Sequence, residues 1–138
     1  MNRVLELMKN TKLCIFSSIS QEGTPQSALV GFSETPDYEL IIGTNKDTRK
    51  LRNVLNNPAV SVVIGWDDKK TIQYEGTARV AGNNELEHYQ NIVLAKHPHS
   101  IIHRNDPDER WIIISPKWIR YTDHTQHPPE IEEMRQFS

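Results

Sequence analysis

A single cysteine, Cys14, stands in 138 residues, so no intrachain disulfide can form. It lies in the apolar run Leu13-Cys14-Ile15-Phe16, the setting of a buried core thiol and not of a nucleophile. Long hydrophobic runs are also missing. The longest, Ala59 to Ile64, is broken by Ser61 and is far too short to cross a bilayer, so no membrane partner is expected. Residues Met1–Asn10 carry charges at Arg3, Glu6 and Lys9 and lack the pattern of a cleavable signal; a cytoplasmic location is expected. Neither sign of charge dominates. Sixteen Lys and Arg against eighteen Asp and Glu leave a net charge of −2, which excludes the global basic field of a nucleic-acid binder. No GxSxG, HExxH, Cys-x-x-Cys, P-loop or GxGxxG occurs, which removes the commonest hydrolase, zinc and nucleotide signatures.

What is present reads as one ordinary globular domain over residues 1–138, with a core at about 11–122 and a polar tail at 123–138. Arg3–Lys9 is a short amphipathic helix. Leu13–Ser20, Gln26–Phe32 and Glu39–Thr44 are strands separated by the turns Gln21-Glu22-Gly23-Thr24 and Ser33–Tyr38, an antiparallel meander. Asp47–Asn56 is helical, with Leu51, Val54 and Leu55 on one face, and Asn57-Pro58 ends it. Val60–Trp66 and Thr71–Val80 form a hairpin about Asp67–Lys70. In the second of these strands Ile72, Tyr74, Gly76 and Ala78 alternate with Gln73, Glu75, Thr77 and Arg79. Asn83–Ala95 is helical, with Leu86, Tyr89, Val93 and Leu94 as its apolar stripe. His97–Arg110 is a loop, Trp111–Ser115 and Trp118–Thr122 are two strands joined at Pro116, and Glu130–Phe137 is a helix. Many short antiparallel strands with inserted helices predict a mainly β protein, a barrel in preference to an open sheet.

The segment GTNKDTRKLRNVLNNPAVSVVIGW, residues 43–66, carries the strongest chemical signal. Asp47 can cap the helix, and Thr48, Arg49 and Lys50 fall in its first turn. A helix start presents unpaired N–H groups and partial positive charge, and a hydroxyl, a guanidinium and an ammonium beside it make a phosphate seat. The six histidines show no recognised ligand spacing, so they read as polar loop residues and no metal site is expected. Glu75 with Glu85 or Glu87 is explained by strand alternation and a wet helix face. Trp66, Trp111 and Trp118 read as core or interface anchors.

The order of blocks GTPQSALVGF, LIIGTNKDTRK, NNPAVSVVIGW, IQYEGTARV and SPKWIRY resembles the pyridoxamine 5′-phosphate oxidase-like family of flavin-binding split β-barrels, over roughly Leu13 to Tyr121. The resemblance implies an antiparallel split β-barrel of the FMN-binding type, working as a homodimer with FMN at the subunit interface. It implies that Arg49 and Lys50 hold the FMN phosphate, with Thr48 beside them. Gly43, Thr44 and Asn45 match the strand end next to the flavin, and Ser27, Ala28, Leu29 and Val30 the strand whose backbone lines its ring. Gln73 lies in the block that reaches the flavin from the other subunit. The implied activity is hydride or electron transfer through flavin N5 to or from an unspecified small molecule. A deazaflavin reductase, or a non-enzymatic flavin- or haem-binding stress protein, fits the same barrel, and His97–His103 is the segment that could offer a haem ligand. Tyr74, His97 and Trp111 are candidates for the border of a substrate space. The chain departs from the vitamin B6 enzymes at two places. Ala28 and Ser33 stand where those carry an arginine and a lysine, and TDHTQHPPEIEE replaces their Arg-x-His segment, so the B6 oxidation itself is not implied.

Overall fold

The computed structural model describes residues 2–137. Its elements, in order, are α1 (Arg3–Lys9), β1 (Leu13–Ile19), β2 (Pro25–Gly31), β3 (Ser33–Glu34), β4 (Leu40–Asn45), α2 (Arg49–Asn56), β5 (Ala59–Ile64), β6 (Lys70–Val80), α3 (Leu86–Lys96), β7 (Glu109–Asp123) and β8 (Glu130–Met134). Two short 3-10 turns, Asn83–Glu85 and Pro98–His103, flank α3. The eight strands form one sheet in the order β2-β1-β5-β6-β7-β4-β3, with β8 added to β7, and every pairing is antiparallel. The sheet curls until β2 and β4 approach each other without pairing, which leaves a barrel split along that seam.

Alternation builds the core. On β6, Ile72, Tyr74, Gly76 and Ala78 point inward and Gln73, Glu75, Thr77 and Arg79 outward, as the period of two requires. The inner cluster joins them to Cys14, Phe16, Phe32, Leu40, Ile42, Val62, Ile114 and Ile119, and α1 adds Val4 and Met8. A second cluster lies on the other face of the sheet, where Tyr89 and Val93 of α3 cover Ile41, Trp111 and Ile113. Burial on both faces explains the unbroken run Trp111-Ile112-Ile113-Ile114 in β7.

Four expectations are corrected. The two strands about Pro116 are one strand, because a bulge opposite Glu75/Gly76 takes up the proline, with Glu75 facing Trp118 and Gly76 facing Pro116. The tail at 130–137 is not a helix. Glu130–Met134 pairs with β7, and its glutamates answer cations on other elements: Glu130 and Glu132 bond Arg3 at 2.8 and 3.1 Å, and Glu133 pairs with Arg120. Leu55 is 69% exposed, and Asn53 takes the buried position beside Leu51 and Val54. The segment read as a loop at 97–110 holds the 3-10 turn Pro98–His103, and β7 already starts at Glu109.

Candidate functional site

Strand β4 ends at Asn45, and its backbone carbonyl fixes the turn that follows. Thr48 donates to it from its backbone N at 3.3 Å and from Oγ1 at 3.1 Å. Thr48, not Asp47, is the N-cap of α2: its Oγ1 accepts from the Leu51 N–H at 3.4 Å, and the Thr44 hydroxyl supports it at 2.8 Å. Asp47 is left outside the helix, where its N–H donates to Asn45 Oδ1 and its carbonyl accepts from Arg52. This removes a carboxylate from the cap and leaves Arg49 and Lys50 as the charged groups of the first turn.

Arg49 and Lys50 line a groove of 480 Å³ between α2 and the strands β1 and β2, together with Phe16, Ser18, Gln26, Ser27, Ala28 and Thr48. That volume falls in the range of about 300–1,000 Å³ common to small-molecule sites. Among the described residues no carboxylate pairs with either cation. Arg49 Nε donates to Gln26 Oε1 at 3.1 Å, the same oxygen takes a bond from Asn53 Nδ2 at 2.9 Å, and Asn53 also reaches Ser18 Oγ at 3.0 Å. Asn53 and Ser18 are buried, so this chain of bonds ties the guanidinium to the barrel wall. A cation held by neutral partners, with its charge uncompensated, keeps its charge-assisted bonds for an anion.

The sequence reading missed Gln26, Asn53 and Ser18. The spacing of Arg49 and Asn53, four apart on one helix face, was a legible signal. Ser18 and Pro25 line both this groove and a second hollow of 650 Å³.

The remaining expected residues divide. Ser27 and Ala28 line the groove with Thr48, Arg49 and Lys50. Further along β2, Leu29 is 61% exposed, and Val30 packs inward against the core. Thr44 is buried under the cap. Asn45 is exposed in the turn. Gly43 lines a separate cavity with Trp111 and Glu109, and a Cβ on it would meet Trp111 Cζ3 at 2.7 Å. Gln73 lies on the outer face of β6, between Val63 and Arg120, and does not line the groove of its own chain. Tyr74 does not line the groove: it is buried in the barrel, where its hydroxyl donates to the carbonyls of Tyr38 at 2.8 Å and Ile114 at 3.1 Å, and burial pushes its pKa up. His97 Nε2 is bonded to the Phe32 carbonyl at 2.7 Å, which ties up one of its ring nitrogens.

The pyridoxamine 5′-phosphate oxidase family model matches residues 2–123. The chain belongs to this family. A curated relative, the pyridoxine/pyridoxamine 5′-phosphate oxidase of Bacteroides thetaiotaomicron, is 30% identical over 76 residues, which are 54% of this chain and 36% of that protein. The match thus spans about a third of the relative's length. Among solved structures, the general stress protein 26 of Bacillus anthracis superposes with a TM-score of 0.73 at 24% identity, covering 95% of each chain. A heme binding protein from Mycobacterium smegmatis superposes with a TM-score of 0.81 at 12% identity, over 98% of this chain and 59% of the other. These two likenesses establish the pyridoxamine 5′-phosphate oxidase-like split barrel as the fold. No helix among the described residues is long and apolar enough to cross a membrane.

Proposed function

We propose that this protein is an FMN-binding oxidoreductase that works as a homodimer on a small molecule other than a B6 phosphate. The observation that carries the reading is the pair Arg49 and Lys50, without a carboxylate partner among the described residues, at the capped start of α2 and in the wall of the groove. Their guanidinium and ammonium, with the first N–H groups of α2, match a phosphate dianion in charge and in donors. Ser27 and Ala28 present the backbone of β2 along the same groove, where donors and acceptors for a flat ring edge are needed. Bound flavin would supply the redox centre at N5; the chain supplies position, shape and charge.

The second subunit is supported by the outer sheet face. Leu29, Ile15, Val63 and Gln73 form one row across the neighbouring strands β2, β1, β5 and β6. Leu29, Ile15 and Val63 are 61%, 38% and 37% exposed, and Leu13 next to them 43%. A second copy laid on this face would bury the row and bring the partner subunit's Gln73 toward the flavin. Ser33, in the position of the B6 enzymes' lysine, carries no charge to pair with a substrate phosphate.

The deciding experiment is the visible spectrum of the purified protein, with mass spectrometry of whatever heat releases and an FMN titration of the stripped protein. Released or rebound FMN at one per chain supports the reading. A haem or deazaflavin spectrum would keep the fold and replace the cofactor; haem is the cofactor class bound by the mycobacterial structural neighbour. A colourless protein that ignores added FMN overturns it.

A further inference from the structure

Beyond the groove, the loop before β7 gathers a second set of polar side chains. After the 3-10 turn Pro98–His103, the Asp106 N–H donates to the His103 carbonyl at 3.3 Å and the Glu109 N–H to the Asp106 carbonyl at 3.2 Å. Two successive turns of three residues thereby carry His103, Asp106 and Glu109 to one side. Their ligand atoms, one from each residue, all lie within 4.8 Å of one another. Among the described residues no Lys or Arg forms an ion pair with the Asp106 or Glu109 carboxylate. Lys46 is taken by Asp108 at 3.2 Å, Arg110 donates to the carbonyls of Pro107 and Glu109, and Arg104 to Asn91.

His103 and Glu109 also line a cavity of 190 Å³ with His99, Trp111 and Ser33. Ser33 is 1% exposed, and its Oγ is the one buried side-chain polar atom without a hydrogen-bond partner among the described residues. Leaving a buried hydroxyl unpaired is costly, so it points to a polar occupant of the cavity.

We propose that His103, Asp106 and Glu109 form a divalent-cation site of the Zn²⁺ class at the edge of this cavity. One imidazole with two carboxylates suits borderline first-row ions, while the absence of sulfur ligands disfavours Cu(I) and the imidazole disfavours Ca²⁺ and Mg²⁺. Ligand atoms at about 2.0–2.2 Å from a tetrahedral ion lie roughly 3.4 Å apart, so side-chain rotation of about an ångström closes the set. Three protein ligands leave a fourth position for water or a small anion, and the Ser33 hydroxyl is the buried donor available to it. In the chain the three stand as His-x2-Asp-x2-Glu, which is no recognised ligand spacing, so the histidines read there as polar loop residues. The site is independent of the flavin reading, since it uses none of the groove residues.

The test is calorimetric titration of the chelator-treated full-length protein with zinc chloride. One site per chain is expected. His103→Ala and Glu109→Gln should each weaken it at least tenfold, while His124→Ala, at an exposed histidine away from the cavity, should leave it unchanged. Loss of folding in a variant is bypassed by adding Mn²⁺ to the labelled wild-type protein. Paramagnetic broadening should then centre on residues 103–109 and reach Ser33. Zinc binding that survives both substitutions, broadening centred on His124 and His127, or no binding at millimolar metal would each overturn the site.

Discussion

At the scale of single residues, environment sorts like groups into different roles. Two basic side chains beside a helix start become a candidate anion seat because no carboxylate among the described residues pairs with them, whereas Lys96 is spent on Glu34 at 2.6 Å and on the Met8 carbonyl at 2.8 Å. Replacing Arg49 and Lys50 together with alanine is expected to weaken FMN binding by several kcal/mol, at about 1.5–3 kcal/mol per charge-assisted bond. Flavin fluorescence quenching reads this directly, and an unchanged Kd would refute the phosphate assignment. Cys14 is fully buried, and burial pushes its thiol up to about 12. The native protein should therefore not react with a thiol-selective disulfide reagent at pH near 8, and should do so stoichiometrically in denaturant. Rapid labelling without denaturant would show that the barrel opens at β1.

At the scale of elements, the bulge in β7 is the feature most sensitive to one atom. A Cβ on Gly76 would meet the Ser115 carbonyl oxygen at 2.6 Å and Ile114 Cγ2 at 2.7 Å. Neither is the far end of a flexible side chain, so relief requires the β6–β7 ladder to shift. Gly76→Ala is expected to cost about 1–3 kcal/mol, the usual range for overpacking a filled core. A urea midpoint equal to wild type would mean that the bulge relaxes without penalty. The same ladder shows how far elements were legible in the chain. Alternation of Ile72, Tyr74, Gly76 and Ala78 fixed which face of β6 lies inward, because a period of two is a property of neighbours in sequence. Continuation of β7 through Pro116 was not legible, since a proline inside a sheet needs a bulge, and the extra residue, Lys117, shows only when β7 is laid against β6.

At the scale of the whole molecule, hydrogen-bonded carboxylates couple stability to pH. Bonds from Arg79 and then from the Gly82 N–H hold Glu85 down at about 2, against an ordinary 4.5; Thr125 lowers Asp123, and Arg120 lowers Glu133. In each case the unfolded chain binds protons more readily. Their contribution is thus complete above the unfolded value and lost as pH falls from about 4.5 toward about 2. The urea midpoint is expected to decline across that window, and Glu85→Gln should flatten part of the decline. A midpoint constant from neutrality to pH near 2.5 would contradict this. The exposed row Leu29, Ile15 and Val63 belongs to the same scale. Sedimentation at micromolar concentration should give a dimer, and Leu29→Glu should shift it toward monomer while the helical and strand circular dichroism is retained. A wild-type monomer that still binds FMN would leave the row without the role assigned to it.

The sequence by itself determined the strand periodicities, most of the turns, the burial of Cys14 and the basic start of α2. Each is set by residues close along the chain, through side-chain alternation, turn chemistry and capping. Tertiary structure alone decided the rest. It turned the glutamate-rich tail into β8, because an open edge of β7 and the cations Arg3 and Arg120 offered more than a solvated helix. It fastened Arg49 through Gln26 to Asn53 across two elements, and it brought Ser33 of β3 to the cavity that His103 and Glu109 line. Such contacts depend on where distant segments come to rest, and the pattern of no single segment encodes that.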